Sequence, residues 1–205
     1  MVLLITAAQF LLSAKCNKDG TGCLSTTASY NFNINAQWSP QAEVYNIGDT
    51  IFLNSIIPKT LNDNITNTSV DYSNSVGIYS DLGVGYLDTI TRQAVPAKDS
   101  FKFVSVIGSF VERRINTNQG INFLYAEAST NYQFKGALIC LKKGIYGFSV
   151  DNCGSDGLRG KNCTRASFSM TISNTDKHLY LHQYALGVDP NDGLLQKHGY
   201  DFRVQ

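Results

Sequence analysis

Tyr30, Phe32, Ile34 and Ala36 alternate with Asn31, Asn33 and Asn35, a two-residue apolar period that predicts a strand with one buried face. Runs of the same kind follow at Phe101 to Ser105, Ile121 to Tyr125, Phe134 to Leu141, Ile145 to Val150, Ala166 to Ile172, His178 to Tyr184 and Tyr200 to Val204. Val104 and Val106 blur the first of these, because they place apolar side chains on what the alternation makes the polar face. At Gly48-Asp49 a turn is expected, since glycine permits a positive φ and aspartate can bond its neighbouring backbone. Ile51 and Leu53 then point the same way, into a core. No stretch has a sustained helical period with caps at both ends, and only Tyr184 to Lys197 leaves room for a turn or two of helix. Short strands separated by turn residues predict an all-β chain: an antiparallel β-sandwich, immunoglobulin-like or jelly-roll-like, with long loops such as the polar excursion Asn62 to Asn74.

The N-terminus has a different pattern. From Met1 to Leu12 the chain is apolar except for Thr6 and Gln9, and the small residues Ser13 and Ala14 follow. A bilayer-spanning helix needs roughly 20 apolar residues, so this run has the length of a signal peptide. Leu12-Ser13-Ala14-Lys15-Cys16 is similar to a bacterial lipobox, in which the cysteine is acylated and becomes the new N-terminus, although Lys15 stands where Gly, Ala or Ser is usual. The competing reading is an ordinary leader cut after Ala14. The expected organisation is a signal peptide at 1–15, a polar tether at 16–27 and a single sandwich domain at 28–205, exported and lipid-anchored through Cys16 at a bacterial outer membrane or cell surface.

Export changes how the five cysteines are read, because an oxidising compartment favours disulfides. With Cys16 carrying lipid, Cys23, Cys140, Cys153 and Cys163 remain, and four cysteines allow three connectivities. The glycine-rich stretch from Cys153 to Cys163 favours a bridge between its ends, which leaves Cys23 to pair with Cys140. No CxxC motif and no histidine at ligand spacing accompanies them, so a thiolate metal site is not expected.

Composition supports the strand reading. Three glutamates stand against thirteen aspartates and eighteen asparagines, with eleven each of Tyr and Phe. The whole chain has seventeen basic and sixteen acidic side chains, and loss of the leader removes one lysine and leaves the rest balanced. Without a basic patch or a Lys/Arg run longer than two, nucleic acid is not an expected partner.

Candidate chemistry is sparse. His178 and His182 have helical metal-ligand spacing, but on a strand they stand roughly 13 Å apart, and no glutamate follows His178 as in the zincin motif. Gly154 to Lys161 has the wrong spacing for a phosphate loop, with Asn162 where Ser or Thr must bind magnesium. No Gly-x-Ser-x-Gly elbow occurs, and no cofactor is expected. Asp71, Asp81, Asp88 and Glu127 are the carboxylates that a glycosidase pair would have to draw on.

Tyr45 to Leu53 is similar to the turn-strand pattern of bacterial immunoglobulin-like domains. With Cys16, Ile47 to Ile51, Val70 to Asn74, Lys143 to Tyr146, Asn174 to Leu181 and Gly199 to Val204, the chain resembles the secreted lipoproteins of Bacteroidota that lack an assigned activity. That resemblance implies export and β architecture and supplies no site. The leading expectation is a non-enzymatic, lipid-tethered binding or structural module whose partner is an envelope protein or a glycan. A carbohydrate-binding accessory protein is the second reading, with Tyr72, Tyr79 and Tyr86, seven residues apart, as the contact surface; a hydrolase with paired carboxylates is the third.

Overall fold

A computed structural model describes residues 29–112, 121–158 and 164–205. Cys16, Cys23 and Cys163, and with them the leader and the tether, lie outside the described residues. The first half of the chain forms β1 (Tyr30–Ser39), β2 (Val44–Tyr45), β3 (Thr50–Pro58), β4 (Thr60–Asn62), β5 (Ser69–Asp71), β6 (Ser75–Val76), β7 (Tyr79–Asp88) and β8 (Gln93–Pro96). After a short 3-10 turn come β9 (Phe101–Ile107), β10 (Ser109–Glu112), β11 (Ile121–Leu124), β12 (Ala126–Glu127), β13 (Asn131–Cys140), β14 (Gly144–Gly154), β15 (Gly157–Leu158) and β16 (Ala166–Ile172). Two short helices, α1 (Tyr180–Leu186) and α2 (Gly193–His198), precede the last strand, β17 (Gly199–Val204).

The protein is an all-β sandwich. One layer is the run β9-β13-β3-β1, and the other is built on β7, β14 and β17, with β8 and β11 beside β7. The two face each other across aromatic side chains, as the alternation predicts. Phe32, Ile34, Ala36 and Trp38 of β1 are all buried, as are Ile51 and Leu53 of β3. Across the layers, Phe101 lies 5.1 Å from Phe148, Trp38 lies 4.7 Å from Phe148, and Phe123 of β11 lies 4.3 Å from Phe134 of β13. Gly136 is required inside this packing, because a Cβ there would stand 2.3 Å from the Phe110 ring.

Pairing is mixed rather than wholly antiparallel. β1 runs parallel to β16 from Tyr30↔Ala166 to Ala36↔Ile172, and β17 runs parallel to β2. β16 also pairs with the end of β14, so a single hydrogen-bonded sheet passes from one layer into the other. Where the β1–β16 ladder stops, a side chain continues it. Asn174 accepts from the Trp38 amide at 2.8 Å and donates to the Trp38 carbonyl at 2.9 Å, imitating the backbone of a further strand residue.

One sequence expectation is corrected here. His178 to Tyr184 is a turn leading into α1, not a strand: Leu181 and Ala185 bury one face of a helix, and Gly187 ends it with φ +76°. Cys140 and Cys153 are buried free thiols among the described residues, and their expected partners Cys23 and Cys163 lie outside those residues. Desolvation pushes the Cys140 thiol up to about 11, with the Asp49 carboxylate adding to the effect. The helix expected around Asp189-Pro190 begins just beyond them, with the Asp192 carboxylate capping the amides of Leu194 and Leu195.

Replacement of Asn174 by Ala would leave the Trp38 amide and carbonyl unpaired in a buried site. It should lower unfolding stability by about 2–4 kcal/mol, read as a shifted urea midpoint at unchanged slope; a loss below about 0.5 kcal/mol would show that solvent replaces the amide.

Candidate functional site

Of the tyrosines expected to form a contact surface, Tyr72 is fully buried. Its ring packs edge-on against Phe32 at 5.3 Å, and its hydroxyl lies 2.5 Å from that of Ser155 and donates to the Thr164 carbonyl at 3.0 Å. Burial raises its pKa. Tyr79 and Tyr86 both lie on β7, but an odd separation along a strand puts them on opposite faces. Tyr86, 37% exposed, leans on Tyr146. The three do not form one platform.

Each of the carboxylates considered for hydrolysis has its own local setting. Asp88 accepts from the amides of Ile90 and Thr91 in a turn, which holds its pKa low, and Glu127 pairs with Lys59 at 2.7 Å. Asp71 organises its own turn by accepting from Ser73, and Asp81 is buried within β7. No two of the four are partners in a strand pairing.

An unexpected surface is the outer face of β9-β13-β3-β1. Outward-facing strand positions are ordinarily polar, yet here the partly exposed Phe52 and Val104 flank Ala137, itself nearly covered by its neighbours, in a row across three strands. Around that row stand Ile56, 61% exposed, Val106 at the bulge, 52% exposed, and the half-buried Ile139. These four strands contain no Asp or Glu, and their only charged residues are Lys102 and Lys135. Lys135 extends over the Phe52 ring, 5.0 Å from its centre. The helices lie on the other layer, where α1 packs against β7, β14 and β17, and α2 against β14, β16 and β17. Sequence reasoning missed this face, although the broken alternation at Val104 and Val106 was its signal.

Beneath α1 a buried carboxyl group meets a histidine. Asp201 of β17 is fully buried and its Oδ2 lies 2.6 Å from Nδ1 of His182. Gly147 of β14 makes room for it, since a Cβ there would meet Asp201 Oδ1 at 2.7 Å and His182 Cε1 at 3.1 Å. Burial raises the Asp201 pKa, opposed by the hydrogen bond and charge of His182 and by the charge of His178. His178 has φ +51°, and its Nδ1 lies 3.1 Å from the Asp176 carboxylate. Among the described residues no group of three or more His, Cys, Asp or Glu side chains is placed to hold a metal ion.

This is an all-β sandwich in which, among the described residues, both α-helices pack on one layer and neither on the other. The sequence matches no known protein family and no curated protein. Among solved structures it is similar to the cohesin module of the family 33 glycoside hydrolase from Clostridium perfringens ATCC13124 (8% identity, TM-score 0.33, 68% of this chain and 98% of that one). It is also similar to the type II cohesin dyad of the adaptor ScaA scaffoldin from Acetivibrio cellulolyticus (10% identity, TM-score 0.34, 69% and 47%). Type II cohesin A11 from Bacteroides cellulosolvens is a third (14% identity, TM-score 0.27, 58% and 78%).

The raised pKa of Asp201 has a consequence for stability. A carboxyl with a folded pKa above its unfolded value favours the fold most below about 3.8, and that contribution is lost as pH rises through the folded value. Asp201→Asn keeps an acceptor for His182 without the buried charge. The melting temperature of the variant minus that of the parent should therefore increase from pH 3.5 to 7, both roughly chosen to bracket the titration; a flat or falling difference would show that the ion pair outweighs desolvation.

Proposed function

We propose that the chain is a non-enzymatic binding module that docks a partner protein on the outer face of its β9-β13-β3-β1 layer. The observation that carries this is the face itself: an apolar row at Phe52, Ala137 and Val104, bordered by Lys135 and Lys102 and free of carboxylates. A face of that composition is complementary to a protein surface with an apolar ridge flanked by Asp or Glu. Regular strands hold its shape, so little order has to be gained on binding. We further propose that the module works at the cell envelope, tethered by lipid on Cys16, a reading supported by the leader Met1 to Leu12 and the lipobox-like Leu12 to Cys16. Intact mass of membrane-extracted protein tests the tether, and a chain that begins at Lys15 without lipid would refute it.

Carbodiimide treatment of intact cells joins lysine amines to carboxylates in contact with them. Cross-links from Lys102 and Lys135 to carboxylates of one partner protein are expected. Phe52→Asp should reduce their yield by about tenfold or more, equivalent to on the order of 1.4 kcal/mol of binding. Ile90→Asp, at a position 91% exposed beyond the end of β7, should leave the yield unchanged. Cross-links at neither lysine, or a yield indifferent to Phe52→Asp, would refute the docking face.

A further inference from the structure

We propose that the partner docked on the β9-β13-β3-β1 face extends that sheet, laying an acidic, extended segment along the outer edge of β9 as a further strand. This rests on the docking reading above and specifies the form the partner takes. Among the described residues β9 pairs with β13 alone, so it is the edge of its layer. Which of its backbone groups point off that edge follows from β13. Cys140 donates its amide to the Asp49 carbonyl at 2.9 Å and accepts from the Gly48 amide at 2.8 Å, so its backbone is turned toward β3. Successive residues of a strand turn these groups to opposite sides. Ile139 and Ala137 are therefore turned toward β9, where they face Lys102 and Val104. The Leu141 amide, bonded to the Ser100 carbonyl at 2.9 Å, keeps the same alternation. Lys102 and Val104 thus use their backbone groups on β13, while Phe103 turns both its N–H and its C=O outward, with the Phe101 carbonyl and the Ser105 amide on either side.

Two local features set the length of this edge. The Phe101 amide is already bonded to the Lys98 carbonyl, which closes the edge at its start. A bulge at Val106 breaks the ladder after Ser105, and the Phe110 amide donates to Ser105 Oγ as the chain turns into β10. The open length is Phe101 to Ser105. It has room for one short strand and not for open-ended sheet growth.

Side chains select the occupant. On the outer face, an added strand sets its own residues directly beside Lys102 and Val104, and such cross-strand pairs discriminate by charge and shape. Val104 favours an apolar neighbour, and Lys102 favours Asp or Glu two positions away. A second copy of this chain does not meet that requirement, since it would bring another Lys102 and Lys135 to a face whose four strands contain no carboxylate. A strand that alternates apolar and acidic residues on one side satisfies the edge and continues the apolar row of the docking face. Its backbone would supply the hydrogen bonds and its side chains the selectivity.

The probe is a blocked peptide of Val-Thr-Glu-Thr repeats, added to the full chain at low ionic strength and followed by amide chemical shifts and hydrogen exchange. Exchange at Phe103 and Ser105 should slow by about tenfold or more in the complex, while Lys102 and Val104, already bonded to β13, change little. N-methylation of the peptide's Thr residues, whose amides would face β9, should abolish binding; N-methylation of its Val and Glu residues should preserve it. Lys102→Glu should weaken binding about tenfold and admit a Val-Thr-Lys-Thr peptide instead, whereas Lys143→Glu, at an exposed position between β13 and β14, should do neither. Unchanged exchange at Phe103 and Ser105 with peptide at millimolar concentration, indifference to which residues are N-methylated, or protection of both amides in a self-associated chain without peptide would overturn the proposal. Cross-links at Lys102 and Lys135 that still respond to Phe52→Asp would, beside any of those results, leave the docking face standing and remove only the added strand.

Discussion

Trp38 is the point on which the rest of the architecture depends. Its ring is fully buried between Phe148 and Tyr200, and so joins β1 to the layer made by β14 and β17. Its backbone is held at both the amide and the carbonyl by Asn174, which fixes where the chain leaves β16 and begins its approach to α1. One residue thereby joins the layers and marks the start of the segment that carries both α-helices. Among the described residues, the outer face of β9-β13-β3-β1 carries no α-helix because both α1 and α2 are directed to the opposite layer.

Much of this was legible in the residues. The Tyr30 to Ala36 alternation, the turn at Gly48-Asp49 and the inward pair Ile51 and Leu53 follow from side-chain size and a two-residue period, and all stand as read. Strand pairing was not legible in the same way. A seven-residue parallel ladder between β1 and β16 joins segments more than 130 residues apart, and nothing local in either segment distinguishes a parallel neighbour from an antiparallel one.

The candidate site was harder to read for two physical reasons. A tyrosine has an apolar body and a polar tip, so Tyr72, set in a polar stretch, has the composition of a surface residue while its ring fills a gap in the core and its hydroxyl finds Ser155. The segment His178 to Tyr184 contains both periods, since Leu179 and Leu181 alternate as in a strand while Leu181 and Ala185 repeat as in a helix. The second period prevails because Gly187 supplies a left-handed end and a covered sheet surface receives the apolar side. Tyr180 and Tyr184 are turned outward as a result. At Val104 and Val106 the disturbed alternation was itself the information: a strand with apolar residues on both faces has something to cover on each.

The parallel ladder also gives the protein a direction of mechanical strength. Tension applied where the chain enters at Tyr30 runs along β1, so the paired residues from Tyr30 to Ala36 are loaded together in shear. Opening such a ladder requires its bonds to fail nearly at once, whereas a hairpin pulled from its open end separates one bond at a time. The two-residue contact of β2 with β17 offers no comparable resistance. Load arriving from the N-terminal side therefore falls first on a strand held along both edges, by β16 on one side and β3 on the other.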